Sequence, residues 1–165
     1  MKKKYLFVLL GVSLVVMIDQ ITKQVIARTM DLHEKIEVIK DFFYIASHRN
    51  NGAAWGILEG EMIIFFLITA LAFVLFYYLI RDIDFINKKL YSLSVILLIS
   101  GAIGNLIDRI LFGYVVDFLD FIIFGYDFPT FNVADMALVI GVTIFAYDIL
   151  KEDLFHAKNR NRSNK

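Results

Sequence analysis

Two aspartates stand where chemistry is the first question: Asp117 in Val115-Val116-Asp117-Phe118, and Asp135 in Phe131-Asn132-Val133-Ala134-Asp135. Both are flanked by apolar residues. Two carboxylates brought together in a low-dielectric setting do not both ionise easily, so one retains a proton. Such a pair suits aspartyl hydrolysis. The ionised acid takes a proton from water while the protonated one donates a hydrogen bond to a scissile carbonyl. The two titrate as a unit, so neither is assigned as acid or base from sequence. Read singly, each has a plainer explanation: Asp135 as the cap of a helix N-terminus, and Asp117 as a loop acid. Their combination at one predicted depth, with Asn and Arg near, favours a shared site.

Other polar residues interrupt apolar stretches. Charges inside spans cost about 2.5–3.5 kcal/mol on insertion scales, so each is a functional hypothesis. Asp19 and Lys23 are four apart, acid ahead of base, and favour a mutual ion pair on one helix face. The alternatives are simple neutralisation or a reach to the headgroups. Asn105, Asp108 and Arg109 fall on one helical stripe, either anchoring the interface as an Asp–Arg pair or forming a polar scaffold. An unsatisfied Asn amide in lipid is costly, which favours the scaffold. Gly101 and Gly104 on the same helix permit close approach of another helix or a substrate.

The elements that must position these groups are apolar helices. The 165 residues are 59% hydrophobic, with 16 Phe and 8 Tyr, more apolar surface than a domain of this size can bury in water. The solvent for that surface is lipid. Met62–Ile80 and Leu90–Ile107 carry no charge and are long enough to cross a bilayer. Tyr5–Ile18 continues as a helical pattern past Asp19 to Ala27, and a last run covers Val133–Leu150. The predicted fold is one α-helical membrane domain over residues 1–165, with spans at about 5–27, 62–80, 90–111 and 133–150. A cleaved leader is the competing reading of Lys2-Lys3-Lys4 and the apolar run behind them, but the distance to Val25-Ile26-Ala27 and the intervening Lys23 favour a span.

Basic residues orient the bundle. The N-terminus, the connection at residues 81–89 and the tail carry 3, 3 and 5 Lys or Arg, against 4 in the segment 28–61 and none in 112–132. The positive-inside rule then predicts both termini cytoplasmic. Residues 28–61 alternate polar and apolar in places and contain Gly52, Gly56 and Gly60, predicting a small extracytoplasmic β-rich platform. Residues 112–132 are expected to form an interfacial loop or helix over the bundle mouth. Both segments are expected to flank the access route and move on binding. Asp120, Asp127 and Asp148 are read as interfacial acids.

Several chemistries are disfavoured. There is no Cys, which removes thiolate metal sites and a cysteine nucleophile. His33, His48 and His156 are scattered, no phosphate-cradling Gly-rich motif is present, and no metal or cofactor is expected. Nucleic acid is not an expected partner. A proton-coupled transporter with Asp19, Lys23, Asp108 and Arg109 as its relay requires polar groups throughout the bilayer, whereas the second and third spans are bare at their centres. A non-catalytic membrane assembly protein would tolerate loss of either Asp117 or Asp135. A Gly-x-Gly-Asp element of presenilin or prepilin type is absent; the nearest string is Gly125-Tyr126-Asp127.

The motifs taken in order resemble those of the signal peptidase II family. Asp19-Gln20-Ile21-Thr22-Lys23, Asn50-Asn51-Gly52-Ala53-Ala54-Trp55, Gly104-Asn105-Leu106-Ile107-Asp108-Arg109, Val116-Asp117-Phe118 and Asn132-Val133-Ala134-Asp135 are similar to five family elements. The resemblance implies an intramembrane aspartic endopeptidase, without metal or cofactor. It would cut diacylglyceryl-modified prolipoproteins on the N-terminal side of the lipidated Cys in the bacterial cytoplasmic membrane. It implies Asp117 and Asp135 as the dyad, with Asn50, Gly52, Asn105, Asp108, Arg109, Asn132 and Ala134 shaping the pocket and Asp19 and Lys23 supporting it. Trp55 is a further candidate. Membrane lipids and globomycin-type inhibitors are the other implied partners, and the enzyme is expected to be a monomer. One departure is Met136, where the family usually has Ser, which removes a hydroxyl contact.

Overall fold

A computed structural model describes residues 2–53 and 57–163, with side chains described for 3–53 and 57–151. Trp55 lies outside the described residues. Among the described residues, four helices are long and apolar enough to cross a membrane. They are α1 (Lys2–Thr29), α2 (Met62–Leu79, followed by a single 3-10 turn, Ile80–Asp82), α3 (Lys89–Phe112) and α4 (Val133–Ser163). Between them lie β1 (Lys35–Ile39), β2 (Phe43–Asn50), β3 (Val115–Ile123) and β4 (Tyr126–Asp127), in one antiparallel sheet of order β1-β2-β3-β4.

The bundle is arranged around α3. Its most apolar window is 56% buried, against 11–17% for the other three, and it packs on α1, α2 and α4. Small residues explain why. Ser92, Ser94, Ser100, Gly101 and Gly104 are all buried on α3, and the Ser100 hydroxyl donates to its own helix at Ile96 O. Without an aqueous hydrophobic drive between helices in lipid, close backbone contact supplies the packing energy. A Cβ built at Gly101 meets Ala134 O at 2.4 Å and Leu138 Cγ at 2.6 Å, so only glycine lets α4 lie this near. Val8 and Val12 of α1, Phe76 of α2 and Val95, Ile96 and Ile99 of α3 form the apolar core.

Residues 112–132 differ from the loop or helix expected of them: they supply β3 and β4. β3 is an interior strand, and its first four residues are buried. A strand covered on both faces reads as a continuous apolar run without alternation, which is why Val115–Ile123 shows no strand period. Its pairing brings the site together. β2 and β3 run antiparallel with His48 opposite Asp117 and Asn50 opposite Val115, and the register slips between Ile45 and His48. Leu119 exchanges both backbone bonds with Phe131, which clips the start of α4 to the same strand.

Gly101→Ala should therefore lower stability by about 1–3 kcal/mol, the cost of overpacking a close contact. Thermal unfolding in detergent checks this, and the same change at exposed Gly113, where a Cβ meets nothing but the backbone is left-handed, separates crowding from strain.

Candidate active site

The polar residues form two connected tiers. The inner tier is centred on Lys23, whose Nζ lies 2.9 Å from Asp19 Oδ2 and 3.2 Å from Asp108 Oδ2 and donates to Asn105 Oδ1 at 3.0 Å. Lys23, Asp19 and Asp108 are each no more than 2% exposed. The carboxylates use their remaining lone pairs to tie elements together. Asp19 Oδ1 accepts the Ala134 N–H at 2.8 Å, so α1 caps the first turn of α4. Asp108 Oδ2 accepts the Val116 N–H at 3.0 Å, fixing the start of β3. At Gly104 an added Cβ meets Asp19 Oδ2 at 2.6 Å and Ala134 Cβ at 3.0 Å, which explains two small residues beside this cluster.

Asp19 and Lys23 thus form the expected pair. Asp108 does not pair with Arg109. It faces Lys23, because the stripe at 105 and 108 turns toward α1, while Arg109 turns toward α2. Arg109 sits 4.3 Å over the Phe65 ring and donates to Gly52 O at 3.3 Å. Gln20 holds a place to which the sequence gave no hint beyond its motif: its Nε2 donates to Asp108 Oδ1 at 2.9 Å and reaches Gly104 O and Asp19 Oδ2 at 3.2 Å. Asp120, expected at the interface, is buried on β3 with Lys35 Nζ 2.5 Å away. The interior position of β3 draws it in.

The outer tier holds Asp117 and Asp135, and it is built from asparagine amides. Asn132 is the N-cap of α4. Its Oδ1 accepts the Asp135 N–H at 3.0 Å, and Asp135 Oδ2 accepts the Asn132 N–H at 3.2 Å, a reciprocal capping box. That leaves Asn132 Nδ2 to donate to Asp117 Oδ1 at 2.6 Å. Asn105 Oδ1 already accepts from Lys23 and Asn132, so its Nδ2 must face Asp135 Oδ1, at 2.7 Å. Asn50 Nδ2 donates to Asp117 Oδ2 at 2.8 Å and is held by the Gly52 N–H on its Oδ1. Among the described residues no ion pair reaches Asp117 or Asp135.

Neutral amides orient a carboxylate without fixing its charge. Burial, then the Asp135 charge, pushes Asp117 up to about 7 against hydrogen bonds from Asn50 and Asn132. Both acids line a cavity of about 750 Å³. Asn105 and Arg109 of α3 and Asn50 and Gly52 of the connection line it too, while Phe65, Ile68 and Phe76 of α2 and Met136, Val139 and Ile140 of α4 give it apolar walls. Phe65 and Ile68 carried no signal inside an uninterrupted apolar run. Ala134 is fully buried beneath the cavity, and Met136 presents a thioether to it. No group of three or more His, Asp or Glu among the described residues is placed to hold a metal ion.

Four spans, an antiparallel sheet and two carboxylates on one apolar-walled cavity define a polytopic membrane protein. The profile of the Signal peptidase (SPase) II family matches residues 12–151. Lipoprotein signal peptidases of Staphylococcus aureus, including those of strains Newman and N315, are 49% identical over 156 residues, covering 92% of this chain and 94% of theirs. Two solved bacterial membrane enzyme structures, determined by the in meso method at 2.3 and 1.9 Å, superpose with TM-scores of 0.80 and 0.77 at 48% identity. They cover 89% and 88% of this chain, and 89% and 93% of their own. The chain belongs to the signal peptidase II family. It is a membrane peptidase.

The raised Asp117 value has a stability consequence. Between its ordinary value of 3.8 and about 7, the folded state holds a proton that the unfolded state has lost, so stability falls as pH rises through that window. The slope is at most about 1.4 kcal/mol per pH unit. Asp117→Asn should raise the melting temperature at pH 8 relative to the unsubstituted protein, with the gap closing toward pH 4. A constant gap across this range would contradict the burial of an ionisable group here.

Proposed function

We propose that this chain removes the signal peptide from diacylglyceryl-modified prolipoproteins, cutting on the N-terminal side of the lipidated Cys, with Asp117 and Asp135 as the catalytic pair. The observation that carries this reading is that both acids are held by amides alone on the wall of the cavity between α2 and α4. One carboxylate, ionised, takes a proton from water as the water oxygen attacks the scissile carbonyl carbon. The other, protonated, donates to the carbonyl oxygen, and the tetrahedral intermediate collapses as the departing nitrogen of the Cys gains a proton. Asn50, Asn105 and Asn132 hold the pair, Gly52 and Arg109 shape the wall, and buried Ala134 packs behind it against Gly104. Asp19, Lys23 and Asp108 position α4 and β3 behind it.

The apolar flanks on α2 and α4 match an apolar signal segment and the lipid chains, which reach the site sideways from the bilayer. Basic residues concentrated at the opposite end of the bundle support a bacterial cytoplasmic membrane location with both termini cytoplasmic and the cavity toward the outer face. One chain carries both acids, which supports action as a monomer. Globomycin-type inhibitors, implied by the family, would act at the same cavity. Asp117→Asn and Asp135→Asn should each lower kcat by roughly 10²–10⁴-fold on a diacylglyceryl propeptide in detergent, with the fold retained. The unlipidated propeptide should not be cut. Turnover surviving either substitution sinks the dyad, and equal cleavage of both propeptides sinks the lipid requirement.

A further inference from the structure

A second cavity, of about 510 Å³, opens beside the first, and Asn50, Ala53, Phe128, Pro129 and Thr130 line both. Its character is opposite. Four acids, Glu34, Glu59, Asp120 and Asp127, face it with the cations Lys35 and Arg49 and the imidazoles of His33 and His48. Asp120 is answered by Lys35, and Glu34 accepts the Asp31 N–H. Arg49 is turned onto the Tyr114 ring and donates to His48 O. Glu59 and Asp127 are exposed and leave the groove with negative charge in excess. Ser47 and Asp120 line the same groove, and Ser47 Oγ and Asp120 Oδ1 are buried without a hydrogen-bond partner. A buried polar atom left so is destabilising, and a ligand donor relieves it.

A peptide bond held at Asp117 has two chains leading from it. The apolar signal side matches the larger cavity. Asn50, which donates to Asp117, stands on the rim between the two cavities, so the other chain leaves across it. We propose that this polar groove is the binding subsite for the mature side of the substrate, taking an extended, polar, non-acidic polypeptide segment directly after the lipidated Cys. From Asn50 back to Ala46 the groove follows five residues of β2, four steps or about 13 Å, room for about four extended residues. Ser47 Oγ and Asp120 Oδ1 accept backbone N–H groups of that segment, and Glu59 and Asp127 repel acidic side chains. The proposal rests on the peptidase reading above.

Three diacylglyceryl propeptides with one signal segment test it: one ending a residue after the Cys, one extended by five Ser, Asn and Gly residues, and one extended by five residues including two Asp. The neutral extension should lower KM roughly fivefold relative to the short peptide, and the acidic one should lose that gain, the size expected of interactions near 1 kcal/mol. The Glu59→Gln/Asp127→Asn double variant should cut acidic and neutral extensions with the same KM, while its kcat on the short peptide is unchanged. Equal KM for all three peptides with the unsubstituted enzyme overturns the subsite, as does discrimination that persists in the double variant. Cleavage of none of them overturns the peptidase reading instead.

Discussion

The structure depends on one buried cation. Lys23 lies between Asp19 and Asp108 with Asn105 as a further acceptor, and each partner reaches a different element. Through Asp19 it fixes the first turn of α4, and through Asp108 the first residues of β3. Those are the two elements that carry Asp135 and Asp117. Leaving a buried charge uncompensated costs about 3–5 kcal/mol, so the three side chains hold one another in a single arrangement. A well-packed apolar trio of the same volume could be as stable, but it would not present directed acceptors to the Ala134 and Val116 amides.

The two tiers treat carboxylates differently, and the difference is the functional point. In the inner tier two acids share one cation, and N–H donors from Gln20, Val116 and Ala134 meet their remaining lone pairs. In the outer tier the acids receive only amide hydrogen bonds, and Asp117 is driven up toward neutrality by burial and by its neighbour. Destabilised acids on a stable scaffold are what proton transfer at neutral pH requires. The scaffold rigidity comes from small residues: Gly101 and Gly104 admit α4 against α3, and Asn132 closes the capping box that aims Asp135. The sheet contributes by register, since Asn50 reaches Asp117 only because β2 and β3 pair as they do.

Much of this was legible in the residues. Uninterrupted apolar runs located the second and third spans, and apolar helical patterns continuing past isolated charges located the first and fourth. The Asp19–Lys23 pair followed from helical spacing. Asp117 and Asp135 stood out as acids flanked by apolar residues, and the structure places both on one cavity. What was hidden depends on contacts between distant elements. No local pattern says that Asp108 faces Lys23 rather than its neighbour Arg109, because that is decided by which side of α3 meets α1. β3 was obscured by burial on both faces, and with it the buried state of Asp120. Gln20 and Phe65 act through partners on other helices, so neither carried a signal of its own.

The central claim is that Asp117 and Asp135 work as a pair sharing one proton. The dependence of kcat/KM on pH, measured on a diacylglyceryl propeptide in detergent, tests it most directly. The account predicts a bell-shaped profile that falls above about 7 as the remaining carboxyl proton is lost, and falls again in acid as the second carboxylate is protonated. A profile that stays level from pH 6 to pH 9 would contradict it, because no protonated carboxyl would then be needed for the reaction.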